Sequence, residues 1–503
     1  MGKRKFIYNG LMLTLVGFAM RGAALFLGAY ISGVIGAEGM GLQGLISTAY
    51  AFAVTFATSG VGLSVTRLVA ASIGEGKNGD RILRGAFAYA MIFGVAATLV
   101  LFLSAPFIGE RLLSDTRVVG AIRILSLSLL PIALSSVISG YFVAVRRVTL
   151  NSAVQLIGQL MRIGLTVLLL IKSAGQGTVR SLEALALGAA VTEFFCFLLA
   201  LAEYLFDRRI YGSVKNRGYA LSEVAGMALP LAFSAYVRSF LVSVEHSLIP
   251  RRLVDRGNTQ SEALSSYGYL SGMALPIILF PMTPLSSFSG LLVPEFAECE
   301  GGGKTDRMER IASRAISLTL VYAIAVAVFI LAFSEEIGYA VYNTYSAGKY
   351  VAILSPVIPI MYLDHVTDSM LKGIGEHVFS MWVNIADALL SVVLVFLLIP
   401  VLDISGYAIV IIIMELFNFS LSYMRLRKRV SFKVYPFLSV GMPLLAAAVS
   451  VYAAKNVFSF SGSASPILWL ISKIIFALCI YLSLMVLIWV VINQRKSKLK
   501  VAK

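Results

Sequence analysis

Charge is what this chain has least of. Asp, Glu, Lys and Arg make up 14% of its 503 residues against 58% hydrophobic residues, and the mean hydropathy is +0.87. A soluble domain carries about 25% charged residues to cover its water-facing surface, so a soluble enzyme of this length is excluded. Cysteine is scarce as well: Cys196, Cys299 and Cys479 are too few and too scattered for a disulfide framework or a thiolate metal site. The three histidines (His246, His365 and His377) do not share metal-ligand spacing, and neither H-E-x-x-H nor paired C-x-x-C occurs. No cofactor or metal is expected. A Walker motif is also missing, which excludes ATP as the direct energy source. No hydrophilic stretch is long enough to form a separate soluble domain.

What is there is a series of apolar runs, each about 20 residues long and so able to cross a bilayer as a helix. The pattern predicts an all-α integral membrane protein with fourteen spans, at 11–34, 43–66, 86–107, 118–142, 151–171, 182–205, 221–245, 264–291, 313–333, 351–371, 378–400, 404–424, 436–456 and 467–492. Net charge is +16. The basic residues crowd one set of alternating segments: Arg81 and Arg84, Arg146 and Arg147, Arg208 and Arg209, Lys304 to Arg314, Arg425 to Arg429, and the tail from Arg495. This is the positive-inside asymmetry rather than a nucleic-acid footprint. It places both termini in the cytoplasm and the chain in the cell (cytoplasmic) membrane. Arg251, Arg252 and Arg256 break the rule, falling on the outer side after the seventh span.

An internal repeat organises the spans. Residues 121–171 align without gaps with 350–400: Ile124-Leu125-Ser126 matches Ile353-Leu354-Ser355, and Val154-Gln155-Leu156 matches Val383-Asn384-Ile385. Glu193-Phe194-Phe195-Cys196-Phe197 matches Glu415-Leu416-Phe417-Asn418-Phe419, and Asp80-Arg81-Ile82-Leu83-Arg84 matches Asp306-Arg307-Met308-Glu309-Arg310. The opening helix of each half carries one arginine, Arg21 and Arg238. An even number of spans restores the starting side, so the halves are parallel repeats. The predicted organisation is a six-helix bundle at 1–210, a second at 211–430, and two additional helices with a basic tail at 431–503. Duplicated bundles of this kind are typical of secondary transporters.

Four stretches carry a resemblance to a known family: Gly36-Ala37-Glu38-Gly39-Met40-Gly41; Thr66-Arg67-Leu68-Val69-Ala70 with Arg81-Ile82-Leu83-Arg84; Ile249-Pro250-Arg251-Arg252-Leu253; and Tyr362-Leu363-Asp364-His365-Val366-Thr367-Asp368 leading to Lys372-Gly373-Ile374-Gly375. Together they resemble the multidrug/oligosaccharidyl-lipid/polysaccharide exporter superfamily, on its stage V sporulation protein B and polysaccharide-flippase branch. The resemblance implies a V-shaped central cavity between the repeats. It further implies a flippase, not an enzyme, moving undecaprenyl-pyrophosphate-linked oligosaccharide, such as a peptidoglycan precursor, to the outer leaflet by alternating access. Sporulation, vegetative wall growth and capsule export all fit. Where related lipid II flippases carry a second arginine followed by an acid in the first helix, this chain has Ala24 and Leu25. Its first helix also lacks the cation-binding acid of drug-exporting relatives.

A charge at the bilayer centre costs roughly 2.5–3.5 kcal/mol on insertion scales, so each requires a reason. Arg21, Arg238 and Arg162 are candidates to hold the pyrophosphate, because a guanidinium fork pairs phosphate oxygens bidentately and stays protonated. Glu245, two turns beyond Arg238, is a candidate partner or gate at the substrate site. Asp364 and Asp368 share a helix face by their i, i+4 spacing. With Asp387 and the repeat-related Glu193 and Glu415, they are candidates for gating or for coupling to a proton or sodium ion. Interhelical ion pairs and packing hydrogen bonds are the structural alternative for every member of this set. Arg123 and Lys473 lie near span ends, where long side chains snorkel to the interface. Gly39-Met40-Gly41-Leu42-Gln43-Gly44 formally matches G-x-G-x-x-G, yet it lies between two membrane helices rather than after a strand, which favours a tight interhelical turn. The expected partners are the lipid-linked glycan and membrane lipids, with the chain acting as a monomer and no nucleic acid involved. Two other classes compete: a cation-coupled multidrug exporter of the same superfamily, and a membrane glycosyltransferase, for which the outer loops are short.

Overall fold

The structure, a computed structural model, describes residues 3–74, 79–145, 147–173, 175–211, 220–458 and 466–501. Arg146 and the side chains of Arg208, Arg209 and the tail from Arg495 lie outside the described residues. The described residues contain helices and no strand. This follows from the solvent: hydrocarbon offers backbone N–H and C=O groups no partner, so an apolar segment must satisfy them within itself.

The chain starts with α1 (Lys3–Thr58), interrupted at Gly36, whose φ of 69° and ψ of −177° are not helical. Ser59 and Gly60, both at positive φ, separate α1 from α2 (Val61–Gly74). Then come α3 (Asp80–Phe107), α4 (Val119–Ser126), α5 (Leu129–Ala144), α6 (Val148–Ser173), α7 (Thr178–Tyr211) and α8 (Leu221–Asp255). The eighth span is segmented into α9 (Gln260–Tyr267), a π-helical turn at Gly268–Ala274, α10 (Leu275–Leu279), a 3-10 turn at Phe280–Met282 and α11 (Thr283–Gly301). The rest are α12 (Thr305–Ala332), α13 (Ser334–Tyr342), α14 (Tyr345–Leu354), α15 (Ile358–Gly373), α16 (His377–Leu402), α17 (Ile404–Arg429), α18 (Met442–Val457) and α19 (Pro466–Val501).

Among the described residues eleven helical runs are long and apolar enough to span a bilayer, and thirteen if each of two bent pairs counts as one span. One of the eleven, Gly17–Ile73, has 57 residues. At 1.5 Å per residue it is about 86 Å long, far beyond a hydrocarbon core of about 30 Å. The break at Gly36 makes it two spans, which brings the total to the fourteen expected. Large apolar side chains remain uncovered on these helices, including Phe26, Leu103 and Leu160 at 67%, 74% and 70% exposure, as lipid-facing surfaces require. Hydroxyls on the helices turn back to the preceding turn, as Thr48, Thr98 and Thr192 do toward Gly44, Gly94 and Gly188.

The helices form two compact units. One comprises the described residues of Met1–Ala29, Tyr269–Asp387 and Ser405–Lys503; the other comprises those of Tyr30–Gly268 and Ala388–Ile404. In the first, α15 packs on α11 and α12, and α18 packs on α12 and α19. In the second, α5 packs on α2 and α3, and α6 packs on α7.

One boundary differs materially from the sequence expectation. The seventh span was expected to end at 245, but α8 continues to Asp255 despite Pro250. The Arg256 N–H bonds back to the Arg252 carbonyl, and Gly257 at φ 114° then turns the chain. Arg251 and Arg252 are therefore the last turns of a helix rather than a loop. Arg256 donates to the carbonyls of Pro400 (3.3 Å) and Val401 near the end of α16, so its cation meets the negative end of a helix dipole.

Candidate functional site

In the first unit the polar groups gather around the broken eighth span and α15. The Thr283 N–H bonds to the Phe280 carbonyl in a 3-10 turn. Arg21 Nη1 donates to the nearby Leu279 carbonyl at 3.0 Å. The Phe18 and Phe280 rings meet edge to face at 5.6 Å, fixing α1 against this turn. Two tyrosines brace the same region: Tyr362 donates to the Ile278 carbonyl at 2.9 Å and Tyr322 to that of Pro281 at 2.7 Å. Arg21 lies within electrostatic reach of Tyr362 and His365 on α15.

The candidate acids are brought together here. Asp364 accepts a hydrogen bond from Ser422 on α17 and has Asp368, Asp387 and Lys372 as charged neighbours. Glu415 faces Asp364 and Asp387. Asp368 forms an ion pair with Lys372 one turn on, Nζ to Oδ2 at 2.6 Å. Three carboxylates from α15, α16 and α17 thus converge. Among the described residues no group of three or more His, Cys, Asp or Glu side chains is close enough to hold a metal ion.

The second unit treats the repeat-related acid differently. Glu193 on α7 is paired with Arg162 on α6, so two residues singled out separately form one interhelical ion pair. Glu245 is 9% exposed within α8. Arg238 is exposed, with no carboxylate partner among the described residues. Its helix joins α1 through hydroxyls: Ser243 donates to the Thr48 carbonyl at 3.3 Å, Thr55 to Ser239 at 3.4 Å, and Tyr236 to Ser59, which also contacts the Tyr89 hydroxyl at 2.7 Å. Arg123 lies over the Phe102 ring at 5.4 Å. Lys473, in the first unit, is 4% exposed and pairs with Glu336 at 3.2 Å instead of reaching an interface.

Three clusters were not singled out from sequence. Arg117 bridges Glu38 and Asp115, each at 2.7 Å, while Ser261 donates to Glu38 at 2.7 Å and Gln260 to the Ser114 carbonyl at 2.6 Å. At the opposite end of that unit Asp207 accepts from Tyr141 at 2.7 Å and pairs with Arg147. Between α15 and α16, Glu376 accepts from Arg425 (2.9 Å to each oxygen) and from Arg429 (2.8 Å). Arg425 first and Arg429 second hold its carboxyl below the usual range.

Fourteen apolar spans, with arginines and acids in mid-helix rather than only at the ends, define a polytopic membrane protein of the transporter class. The chain belongs to the polysaccharide biosynthesis protein family, which it matches over residues 6–299, within the multidrug/oligosaccharidyl-lipid/polysaccharide exporter superfamily. Residues 256–397 also match the MatE family. Stage V sporulation protein B of Bacillus subtilis (strain 168) is 24% identical over 423 residues, covering 82% of each chain. Lipid II flippase MurJ of the same organism is 22% identical over 421 residues, covering 76% of this chain and 77% of the relative. The fold is shared with solved structures. The inward closed conformation of lipid II flippase MurJ superimposes with a TM-score of 0.75 at 13% identity, covering 96% of this chain and 100% of that one. An inward-facing multidrug resistance MATE family transporter gives 0.63 at 16% identity, covering 81% and 94%.

Proposed function

We propose that this protein is a flippase carrying an undecaprenyl-pyrophosphate-linked oligosaccharide, a peptidoglycan precursor, from the inner to the outer leaflet of the cytoplasmic membrane. The two six-span repeats alternate access, both termini are cytoplasmic, and a monomer suffices. One observation carries the proposal: the opening helix of each repeat holds an arginine that no carboxylate among the described residues neutralises, Arg21 bonded to a backbone carbonyl and Arg238 exposed. A guanidinium left uncancelled within a span suits an anionic group. Arg162 contributes to the substrate only when its pair with Glu193 opens. Moving each negative charge outward across an inside-negative potential releases about 2.3 kcal/mol per 100 mV, so a pyrophosphate supplies its own driving force. Asp364, Asp368, Asp387 and Glu415 carry the proton or sodium ion that resets the empty carrier.

The same acids favour a second reading, cation-coupled drug export, which the MatE match keeps in view. Proteoliposomes separate the two. Labelled undecaprenyl-pyrophosphate sugar should become exposed on the far leaflet in a potential-dependent way, and Arg21→Ala or Arg238→Ala should abolish this without loss of membrane insertion. Unchanged transport by both variants would refute the anion site. Efflux of a cationic dye with no lipid exposure would select the second reading.

A further inference from the structure

The three arginines that violate the charge asymmetry remain unexplained by transport. Arg256 is satisfied by helix-end carbonyls. Arg252 is held on two sides, by Asp255 at 2.9 Å and by the Phe396 ring 3.5 Å beneath its guanidinium. Arg251 differs: its Nε is buried and has no hydrogen-bond partner among the described residues. Arg251 and Arg252 line a cavity of about 470 Å³ with Ser114, Asp255 and Gln260. Two arginines against one aspartate leave it one positive charge in excess.

A second cavity adjoins this one, and Leu113 lines both. The second, of about 310 Å³, is almost wholly apolar; Phe52, Phe56, Leu101 and Phe240 line it, with further aliphatic and small side chains, Ser104 and Ser243 among them, completing the wall. Its volume lies at the lower end of small-ligand sites. Phe240 is 53% and Val100, on the same wall, 61% exposed, so the groove opens sideways toward lipid. Along α8, Phe240 and Arg251 are eleven residues apart, about 16 Å. That is close to half of the roughly 30 Å hydrocarbon core, the depth of one leaflet. An apolar slot beside an arginine pocket with a single excess charge, the two together about one leaflet deep, matches one occupant: a lipid with an acyl chain and a singly charged phosphodiester. A pyrophosphate brings more negative charge than the pocket balances.

We infer that the α1–α3–α8 groove with Arg251 and Arg252 is a binding site for an anionic glycerophospholipid of the phosphatidylglycerol type. Its phosphate accepts from Arg251, and one chain occupies the apolar slot. Arg252, fixed by Asp255 and Phe396, shapes the pocket wall. The site is distinct from Arg21, Arg238 and the acid cluster, so it stands whether or not the transport proposal does. It also gives the misplaced arginines a purpose: they are retained on that face because a lipid headgroup needs them.

Native mass spectrometry of the full-length protein in detergent tests this, with phosphatidylglycerol, zwitterionic phosphatidylcholine and free glycerol phosphate as probes. Phosphatidylglycerol should bind preferentially. Arg251→Ala should weaken it about tenfold, the loss expected for one charge-assisted hydrogen bond, and leave phosphatidylcholine unchanged. Arg251→Lys should retain part of the preference, and Lys349→Ala, at an exposed lysine on α14 that lines neither cavity, should retain all of it. Ser104→Phe, which fills the slot, should weaken both lipids. Gel filtration and thermal midpoint verify that each variant is folded. Equal phosphatidylglycerol binding by wild type and Arg251→Ala would overturn the site, as would no preference over phosphatidylcholine. Competition by glycerol phosphate at the lipid's own affinity would reduce it to an anion pocket and overturn the lipid assignment.

Discussion

Gly41 and Gly268 sit where two helix backbones touch, and adding one methyl group at either is a direct test of that packing. A Cβ at Gly41 lies 2.2 Å from the Leu264 carbonyl oxygen, and one at Gly268 lies 2.0 Å from that of Ala37. Real Cβ contacts essentially never fall under 3.0 Å, so α9 and the second half of α1 must separate by about 0.8–1.0 Å. Both obstructing atoms are backbone, which cannot rotate away. Overpacking of this kind costs typically about 1–3 kcal/mol, and a backbone clash belongs at the upper end. Alanine returns up to about 1 kcal/mol in helix propensity, leaving a net loss of about 2 kcal/mol for Gly41→Ala. Gly28→Ala is the control: nothing lies within 4 Å of its Cβ, so it should be neutral or stabilise by up to about 1 kcal/mol. The double variant Gly41→Ala/Gly268→Ala should cost less than the sum, because one displacement relieves both clashes. Denaturant unfolding in detergent micelles measures all four. A Gly41→Ala protein as stable as Gly28→Ala would show that the helices do not approach as described.

Arg162 and Glu193 should behave as a unit: Arg162→Ala and Glu193→Ala each destabilise, and a double-mutant cycle should return a coupling of about 1 kcal/mol or more; additive losses would mean that no pair exists. Gly36→Ala forces a side chain into φ 69°, ψ −177°, a region open in practice only to glycine, and should cost about 1–3 kcal/mol in the same unfolding assay. Glu376 has a lowered folded-state pKa, so its contribution is present above the ordinary glutamate pKa of about 4.3 and is lost as pH falls through the lower folded value. The acid limb of a stability–pH curve should therefore flatten in Glu376→Gln, and an unchanged limb would deny Arg425 and Arg429 their role.

Hydropathy made the fold readable because lipid imposes one rule on every span. The runs at 86–107 and 404–424 differ from α3 and α17 mainly in short polar extensions at the ends. The seventh span was cut short at 245 because Arg251 and Arg252 look like loop residues, whereas capping by Arg256 and the turn at Gly257 set the real end. Mid-span charges were legible as a set, since nothing else in an apolar run stands out so sharply. Their partners were not. Spacing places Asp364 and Asp368 on one face of α15, yet the helix that face meets depends on packing. Asp368 turns to Lys372 on its own helix while Asp364 reaches Ser422 on α17. The Gly39–Gly44 stretch reads as a tight interhelical turn, but the chain is helical throughout it. A single glycine at position 36 redirects α1, and the glycines that follow admit Leu264 and Tyr267.

Glu193 and Glu415 align in the repeat read from the sequence, and their surroundings differ: a guanidinium beside the first, carboxylates beside the second. The same residue in two aligned places does not have the same freedom to change. At the first place the acid can be exchanged for a neutral residue if position 162 changes with it, so descendants should drift there in pairs. At the second no single compensating change exists, and Asp364, Asp387 and Glu415 should persist or disappear together. Two aligned acids are thereby subject to different rules of inheritance.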